Sequence, residues 1–224
     1  MKKEIYLIRG LEGENYSEFS SRIVETALQA STIKTVTSVK VTYTAEKPPL
    51  ISIIPFKKKK IAAISLFIES NERPKHLDET QGLVGAYEVE EAIPVRYKKS
   101  WPDLTPTMGV CLFTIFKQRP DIDYKTFLDR WHNSHTPLSL KIHPLWNYNR
   151  NVAQKDEGNT EHWDGIVEEQ FKTKAELLNP VKFFGNPLIM PYRMWQVYSD
   201  TKSFLEYKTI EPYFATELVV KSAV

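Results

Sequence analysis

The order of strand and helix patterns is the feature that most constrains this chain. The apolar stretch "EIYLIR" (residues 4–9) precedes an amphipathic helix, two further strands, a short helix and a fourth strand. The same order, β-α-β-β-α-β, begins again at "MGVCLFTIF" (residues 108–116), about 104 residues after the first strand. This order is that of the split βαβ, or ferredoxin-like, unit, and its recurrence predicts a tandem duplication.

Local signals place the elements of the first half. Asn15 and Glu18 form a capping-box pattern ahead of a helix with one apolar stripe. Pro94 lacks a ladder donor, so the strand that contains it is expected at a sheet edge or a bulge. The remaining elements are strands over 35–43, 60–69 and 86–97 and a short helix over 74–82.

The second half follows after a proline-containing connector at 101–107. Asp123 is placed to cap a helix, and Asn186 and Pro187 suit the N-cap and first position of a later one. The other predicted elements are strands over 145–152, 163–171 and 213–220 and helical segments within 173–204.

These patterns predict an α+β fold with two repeats, residues 1–100 and residues 101–224. Each repeat would form a four-stranded antiparallel sheet with helices on one face, and the bare faces of the two sheets would pack together. We therefore expect one α+β barrel within a single chain, a pseudo-dimer of ferredoxin-like units. A small molecule would bind in its lumen or in a helix–sheet cleft.

Composition excludes several classes of protein. The net charge of +2 is too small to indicate nucleic-acid binding, and the run Lys57–Lys60 is interpreted as the solvated start of a strand. No window reaches the ~18 apolar residues of a membrane span. The single Cys111 is expected to be a buried structural thiol, which fits a reducing, cytoplasmic location.

The stretch "RWHNSHTPL" holds the strongest candidate for chemistry. Pro137 disfavours helical geometry at Thr136, so we expect the first helix to end near residue 133 or 134 and Thr136 to cap a second one. His135 would then lie in the break, where it could act as a general acid or base. The alternative is that His135 only binds backbone groups left unpaired at the break.

Other residues complete the candidate site. Tyr148 could donate a hydrogen bond to an oxyanion, and His132 could modulate or relay protons. Phe127, Trp131 and Trp146 could supply apolar walls. Glu168 is expected to pair with a basic group such as Arg150, and Asp164 to lie in a turn.

No metal and no cofactor are expected. A metal site would need His132 and His135, with His143 or His162, but the predicted break spoils the geometry and no third ligand stands at a characteristic spacing. Nothing in the sequence selects an axial haem ligand.

Three segments resemble the EthD domain of the dimeric α+β barrel superfamily: "DYKTFLDRWHNSHTPL", "NYNRNV" and "HWDGIVEEQF". The match covers about residues 108–171, and residues 1–100 match as a degenerate repeat, as in tandem EthD-like proteins. The positions that carry the family pattern are Phe127, His135 with Pro137, Tyr148 with Asn151, and Asp164 and Gly165 with Glu168. The resemblance implies Asn151 as a further substrate-binding residue.

The resemblance also implies a role in small organic-molecule metabolism. Superfamily relatives include enzymes that use a His and a Tyr in an apolar cavity, monooxygenases without a tightly bound cofactor, haem enzymes and binding proteins. The first half has no counterpart of the histidine motif, so one cleft is expected to be functional and the other to serve as scaffold.

Our leading hypothesis is cofactor-independent acid/base chemistry, of a lyase, cyclase, dehydratase or monooxygenase-like kind, on an apolar carbonyl compound. The expected partner is therefore a small apolar organic molecule, with a homodimer left open. The alternatives are a non-catalytic module for hydrophobic ligands, or a stress-associated barrel without any pocket of roughly 300 Å³ or more.

Overall fold

A computed structural model describes residues 1–69, 74–154 and 161–223. Its eight strands form one closed antiparallel barrel. The strands are β1 (Lys2–Arg9), β2 (Val36–Tyr43), β3 (Ile61–Ile68), β4 (Leu83–Val95), β5 (Val110–Phe116), β6 (Asn147–Ala153), β7 (Gly165–Phe171) and β8 (Glu211–Lys221). The helices are α1 (Tyr16–Ser31), α2 (Lys75–Asp78), α3 (Tyr124–Asp129), α4 (Thr136–Ile142), α5 (Lys174–Leu178), α6 (Pro180–Phe184) and α7 (Met190–Lys202).

The order of strands around the barrel is β1-β3-β2-β8-β5-β7-β6-β4. The first four strands are therefore contiguous, as β4-β1-β3-β2, and the last four follow as β8-β5-β7-β6. The two groups join through the β2–β8 and β4–β6 pairs. This confirms the predicted α+β class and the barrel within one chain, while the division at residue 100 stays a prediction.

Side chains alternate between the lumen and the outer face of each strand. The middle of the lumen is apolar, and Ile5, Phe113 and Ile166 are fully buried there. Outside, α1 covers the first group of strands with Phe19 and Ile23. The helices of the second half cover β5, β6 and β7, and the candidate site lies under them.

Several local predictions are confirmed. Asn15 accepts from the Glu18 N–H in a complete capping box, and the Asp123 carboxylate accepts from the Thr126 N–H. Lys57 and the next two lysines are exposed just before β3, and Cys111 is buried in the lumen.

The predicted strand with Pro94 has neighbours on both sides. Strand β4 pairs with β1 only as far as Val89 and with β6 from Val89 to Val95, so the strand as a whole is not an edge strand, but the segment with Pro94 pairs on one side only, as the sheet-edge interpretation predicts. The bulge interpretation is right, because the β4–β6 register shifts between Ala92 and Val95. A bulge lets the chain continue past a residue that donates no ladder hydrogen bond.

The predicted helix break before Pro137 is wrong. Arg130–His135 form a π-helical turn that joins α3 to α4 without interruption, and Thr136 is itself helical, with φ −59° and ψ −50°. The Thr136 N–H and its hydroxyl both donate to the Trp131 carbonyl. The wider turn accommodates a proline ring that an α-helix would press against a carbonyl.

Candidate functional site

A cavity of about 390 Å³ lies between the helices of the second half and the outer face of the barrel. We call it the helix–sheet cavity. Strands β5, β6 and β7 form its floor, and α4, α6 and α7 form its sides. Apolar side chains make up most of its wall, namely Ile54, Leu112, Phe116, Trp131, Val167, Phe183, Phe184, Val197, Phe204 and Leu205.

His135 is held in this cavity by hydrogen bonds at both ring nitrogens. Its Nδ1 lies 2.8 Å from Asp200 Oδ2, and its Nε2 lies 3.1 Å from the Ser139 hydroxyl oxygen. A carboxylate accepts the Nδ1 proton, so Nε2 is left to accept a proton from Ser139. The hydrogen-bonded chain thus runs from Asp200 on α7 through His135 to Ser139 on α4, at the wall of the cavity.

Asp200 is set up to remain ionised. Burial acts to raise the pKa of its carboxyl, but hydrogen bonds from His135 and from Ser134, whose hydroxyl lies 2.5 Å away, outweigh burial and hold the pKa below its ordinary value. A fixed carboxylate orients the imidazole and stabilises the imidazolium that forms when Nε2 takes a proton.

The helix that runs through the π-helical turn presents three side chains to the cavity. Trp131, His135 and Ser139 follow one another at intervals of four residues, and all three line the cavity. A π turn inserts one residue into the helical spacing and is frequent at functional sites. In the present chain the helical backbone continues through Thr136, which keeps the imidazole on the same face as Ser139 despite Pro137.

Tyr148 and Glu169 lie opposite each other on β6 and β7, and both line the cavity. Burial raises the pKa of the Glu169 carboxyl to about 7. Burial raises the pKa of the Tyr148 phenol, and the neighbouring Glu169 carboxylate raises it further. Tyr148 is therefore a hydrogen-bond donor at neutral pH, and Glu169 can release or take a proton there.

His143 adds a neutral acceptor. Its Nδ1 lies 3.0 Å from the Phe183 carbonyl oxygen and donates to it, and its ring packs on the Phe183 ring at 4.1 Å. Burial lowers the pKa of His143 to about 4. Its Nε2 is consequently an unprotonated acceptor on the cavity wall.

The structure brings three of the seven predicted site residues, His135, Tyr148 and Trp131, to the cavity. Phe127 does not line it, but packs behind Trp131 and Phe116. The ring of Phe127 thus supports the wall without facing a ligand.

The other three predicted residues lie elsewhere. The His132 ring contacts Trp131 away from the cavity, and its buried Nε2 has no hydrogen bond within the described chain. Trp146 stacks with Tyr97 at 4.9 Å. Asn151 lies in the lumen, where its amide accepts from Lys3 and donates to the Ile166 carbonyl. Strand alternation separates it from Tyr148, since residues three apart face opposite sides.

Glu168 also faces the lumen, and the prediction that it pairs with Arg150 is wrong. Its carboxylate forms an ion pair with Lys40 at 2.6 Å. Arg150 points to the outer face, where it donates to the Thr136 hydroxyl. The partner is basic, as expected, but it comes from a strand of the other half.

Sequence reasoning missed Glu169, Asp200 and Ser139. One signal for Glu169 was present, because Val167, Glu169 and Phe171 alternate on the outer face of a strand where an acid is out of place. Asp200 lies 65 residues from His135, and no local pattern connects them.

Two negative findings concern the described residues only. No group of three or more His, Cys, Asp or Glu side chains among them could hold a metal ion; His162, for instance, pairs with Asp164 at 2.9 Å. No helix in that part of the chain is long and apolar enough to cross a membrane.

Comparison with known proteins identifies the fold. No family model and no curated protein sequence matches the chain. A monooxygenase-like protein from Fusobacterium nucleatum superposes with a TM-score of 0.54 at 12% identity, over 98% of this chain and 92% of the other. The chain shares the fold of that protein, an α+β fold built on a closed antiparallel barrel. Membership of the EthD family stays a prediction.

Two further barrels are similar. An anthrone oxidase-like protein superposes with a TM-score of 0.54 at 13% identity, over 98% of this chain and 91% of that one. A chlorite dismutase-like protein reaches a TM-score of 0.49 at 9% identity, over 99% and 96% of the two chains. At such identities the likeness concerns the fold alone.

Proposed function

We propose that this protein is an EthD-like enzyme that performs cofactor-independent acid/base chemistry on a small apolar carbonyl compound. One observation supports the proposal most directly. His135 is hydrogen-bonded to Asp200 through Nδ1 and to Ser139 through Nε2, and its ring lines an apolar cavity. A cavity of about 390 Å³ is in the size range of small-molecule sites, which disfavours the filled-barrel alternative.

Each polar group has a role in this chemistry. His135 accepts a proton through its Nε2, directly or through the Ser139 hydroxyl, and Asp200 stabilises the resulting imidazolium. Tyr148 donates a hydrogen bond to the oxyanion that develops on the substrate carbonyl. Glu169, with a pKa of about 7, returns a proton to carbon or to a leaving hydroxyl.

The reactions that need these roles are enolisation, cyclisation and dehydration, or oxygenation of an enolate by dioxygen. The monooxygenase-like and anthrone oxidase-like neighbours keep the oxidative option within the proposal. A binding module without chemistry remains the alternative, in which the same cavity holds a hydrophobic ligand.

A second candidate activity is acyl transfer. The order Asp200–His135–Ser139 is that of a nucleophilic triad, and Ser139 lies on the cavity wall. The serine oxygen would attack an ester carbonyl and pass its proton to His135, and the protonated His135 would then give that proton to the departing alcohol, leaving an acyl-enzyme. Water activated by His135 would hydrolyse the acyl-enzyme and return the proton to Ser139. Labelling of Ser139 by a fluorophosphonate, lost in His135→Gln, would select this activity over enolisation.

The experiment begins with native mass spectrometry of the purified protein, which gives the mass of any co-purified ligand and so the substrate class. With a turnover assay in hand, His135→Gln is expected to lower kcat by about 10²–10⁴ and Tyr148→Phe by a smaller factor. His132→Gln is the matched control, because His132 stands on the same helix outside the cavity. Full turnover by His135→Gln would rule out the mechanism.

We also propose that the chain is a tandem duplication, with repeats 1–100 and 101–224. The matching strand orders β4-β1-β3-β2 and β8-β5-β7-β6 support it. In the first repeat α1 packs on its sheet with Phe19, Ile23 and Ala27 completely buried, which supports a scaffold role.

A homodimer stays part of the proposal. Tyr192 and Trp195 stack on the surface of α7 and are 60% and 62% exposed, so a second copy of the chain would bury apolar area there. Sedimentation velocity is expected to show a dimer that Trp195→Glu dissociates; a monomeric wild type contradicts it.

A further inference from the structure

The barrel lumen ends in a second cavity, separate from the helix–sheet cavity. It has a volume of about 490 Å³. Polar side chains from six strands line its wall. We call this group the lumen-mouth site: Lys3, Lys40, Ser65, Glu91, Asn149 and Glu217.

The lumen-mouth site contains buried charges. Lys3 Nζ lies 2.5 Å from Glu91, and Lys40 Nζ lies 3.3 Å from Glu217 and 2.6 Å from Glu168 behind it. Apolar side chains would fill such a space at less cost to folding, as they do in the middle of the lumen. Buried charges that line a cavity are therefore candidates for function.

Two buried oxygens of the site have no hydrogen-bond donor, and a third has only an ion pair. Ser65 Oγ and Asn149 Oδ1 make no hydrogen bond within the described chain, although each residue is only 3% exposed. The Asn149 Nδ2 donates to Glu91 at 2.7 Å, which leaves Oδ1 as the free end of the amide. Glu217 Oε2 has the ion pair with Lys40 but no hydrogen bond. Since buried polar atoms are nearly always bonded to protein, water or a ligand, these atoms are available to bind a ligand that enters the cavity.

The free atoms define the chemistry of that ligand. Asn149 Oδ1 and Glu217 Oε2 can only accept, and Ser65 can accept or donate. A ligand must therefore present N–H or O–H donors. Its apolar part would lie against Phe67 and Val219, which also line the cavity.

The charge balance favours a cation. The buried cluster holds two ammonium groups, Lys3 and Lys40, and three carboxylates, Glu91, Glu168 and Glu217. At the rim Arg96 is exposed to solvent, and Lys99 is already paired with Asp103 at 2.7 Å. Inside the cluster the carboxylates thus outnumber the ammonium groups by one, and Arg96 lines the outer rim of the same cavity.

We propose that the lumen mouth is a second binding site, for a small organic molecule with N–H or O–H donors and no anionic group, best matched by a primary ammonium. The site does not depend on the function of the helix–sheet cavity. Asn149, Glu217 and Ser65 bind the donors of the ligand, and Glu217 supplies the charge that neutralises it.

The test is calorimetric titration of the full-length protein with three probes of one carbon skeleton, hexylammonium, 1-hexanol and hexanoate. We expect hexylammonium to bind most tightly, 1-hexanol more weakly and hexanoate not at all. Glu217→Gln is expected to weaken hexylammonium binding about tenfold and Ser65→Ala about fivefold. Glu169→Gln, in the helix–sheet cavity, is the matched control and leaves binding at the lumen mouth unchanged.

Three results would overturn the proposal: hexanoate binding as tightly as hexylammonium, no probe binding at millimolar concentration, or binding that Glu169→Gln abolishes and Ser65→Ala does not affect. Ser65→Ala removes an unbonded hydroxyl, so its far-UV circular dichroism should equal that of the wild type. If Glu217→Gln does not fold, Ser65→Ala alone tests the proposal.

Discussion

Glu169 shows how burial by itself sets the chemistry of a residue. Its side chain occupies an outer-face position of β7 between Val167 and Phe171, both buried. Within the described chain no hydrogen bond or ion pair compensates its charge, so the protonated form is favoured and the pKa rises to about 7. The cavity thereby gains a group that titrates at neutral pH.

This raised pKa predicts a pH-dependent stability. The carboxyl titrates near 4.3 in the unfolded chain and at about 7 in the folded protein, so between these values the folded state binds more protons. The contribution of this carboxyl to the free energy of unfolding is largest below about pH 4. It falls by up to about 3 kcal/mol as the pH rises to about 7. In Glu169→Gln this loss should be absent, as urea unfolding from pH 4 to pH 8 measures.

The control for that series is Glu25→Gln, which removes an exposed carboxylate from α1. Its free energy of unfolding should run parallel to that of the wild type across the pH range. Parallel curves for Glu169→Gln as well would show that the carboxyl is already ionised in the folded protein at low pH, and would remove it from the proposed mechanism.

At the scale of elements, α7 is the least anchored part of the site. None of its residues is fully buried, although it supplies Asp200 to His135. Polar contacts hold it, including those from Asp200 to Ser134 and His135 and one from Arg193 to the Phe184 carbonyl. Elements with few buried contacts open at low free energy cost, so α7 is suited to admit a ligand.

We therefore predict that Asp200→Asn loosens α7 selectively. Loss of charged hydrogen bonds worth about 1.5–3 kcal/mol should speed amide hydrogen exchange in Met190–Lys202 about ten- to hundredfold. Exchange in β5 should not change. Asp78→Asn, which removes an exposed carboxylate from α2, is the control, and equal acceleration in α7 and β5 would contradict local opening.

At the same scale, the sequence predicted the elements far better than their junctions. Capping residues such as Asn15 and Asp123 act through adjacent backbone groups, so local reading found them. The π-helical turn before Pro137 was not predictable, because packing of Trp131 and the contact with Asp200 decide whether a proline breaks a helix or is absorbed.

The whole molecule is tied together across the two halves by the lumen. Lys40 of β2 pairs with Glu168 of β7 and Glu217 of β8, and Lys3 of β1 binds Asn151 of β6. The β2–β8 and β4–β6 pairs add backbone hydrogen bonds between the two halves. Neither half can keep these charges paired without the other, so the chain should unfold as one cooperative unit.

This prediction can be tested because all five tryptophans lie in residues 101–224. Tryptophan fluorescence then reports on the second half, and far-UV circular dichroism reports on both. The two urea transitions should coincide. Ile64→Ala creates a cavity at a completely buried position of β3 and should lower the free energy of unfolding by about 2–5 kcal/mol. Both midpoints should fall by the same amount; a fluorescence midpoint that does not move would show independent halves.

The sequence by itself determined the α+β class, the order of the elements and the barrel, because hydrophobic periodicity and caps are local and the burial of two bare sheet faces has few solutions. It also indicated His135 and Tyr148. Only the tertiary structure decided which side chains meet: Asp200 with His135, Tyr148 with Glu169, and the polar cluster at the lumen mouth. Such contacts depend on strand register and helix placement, which join residues far apart in the chain and leave no local pattern.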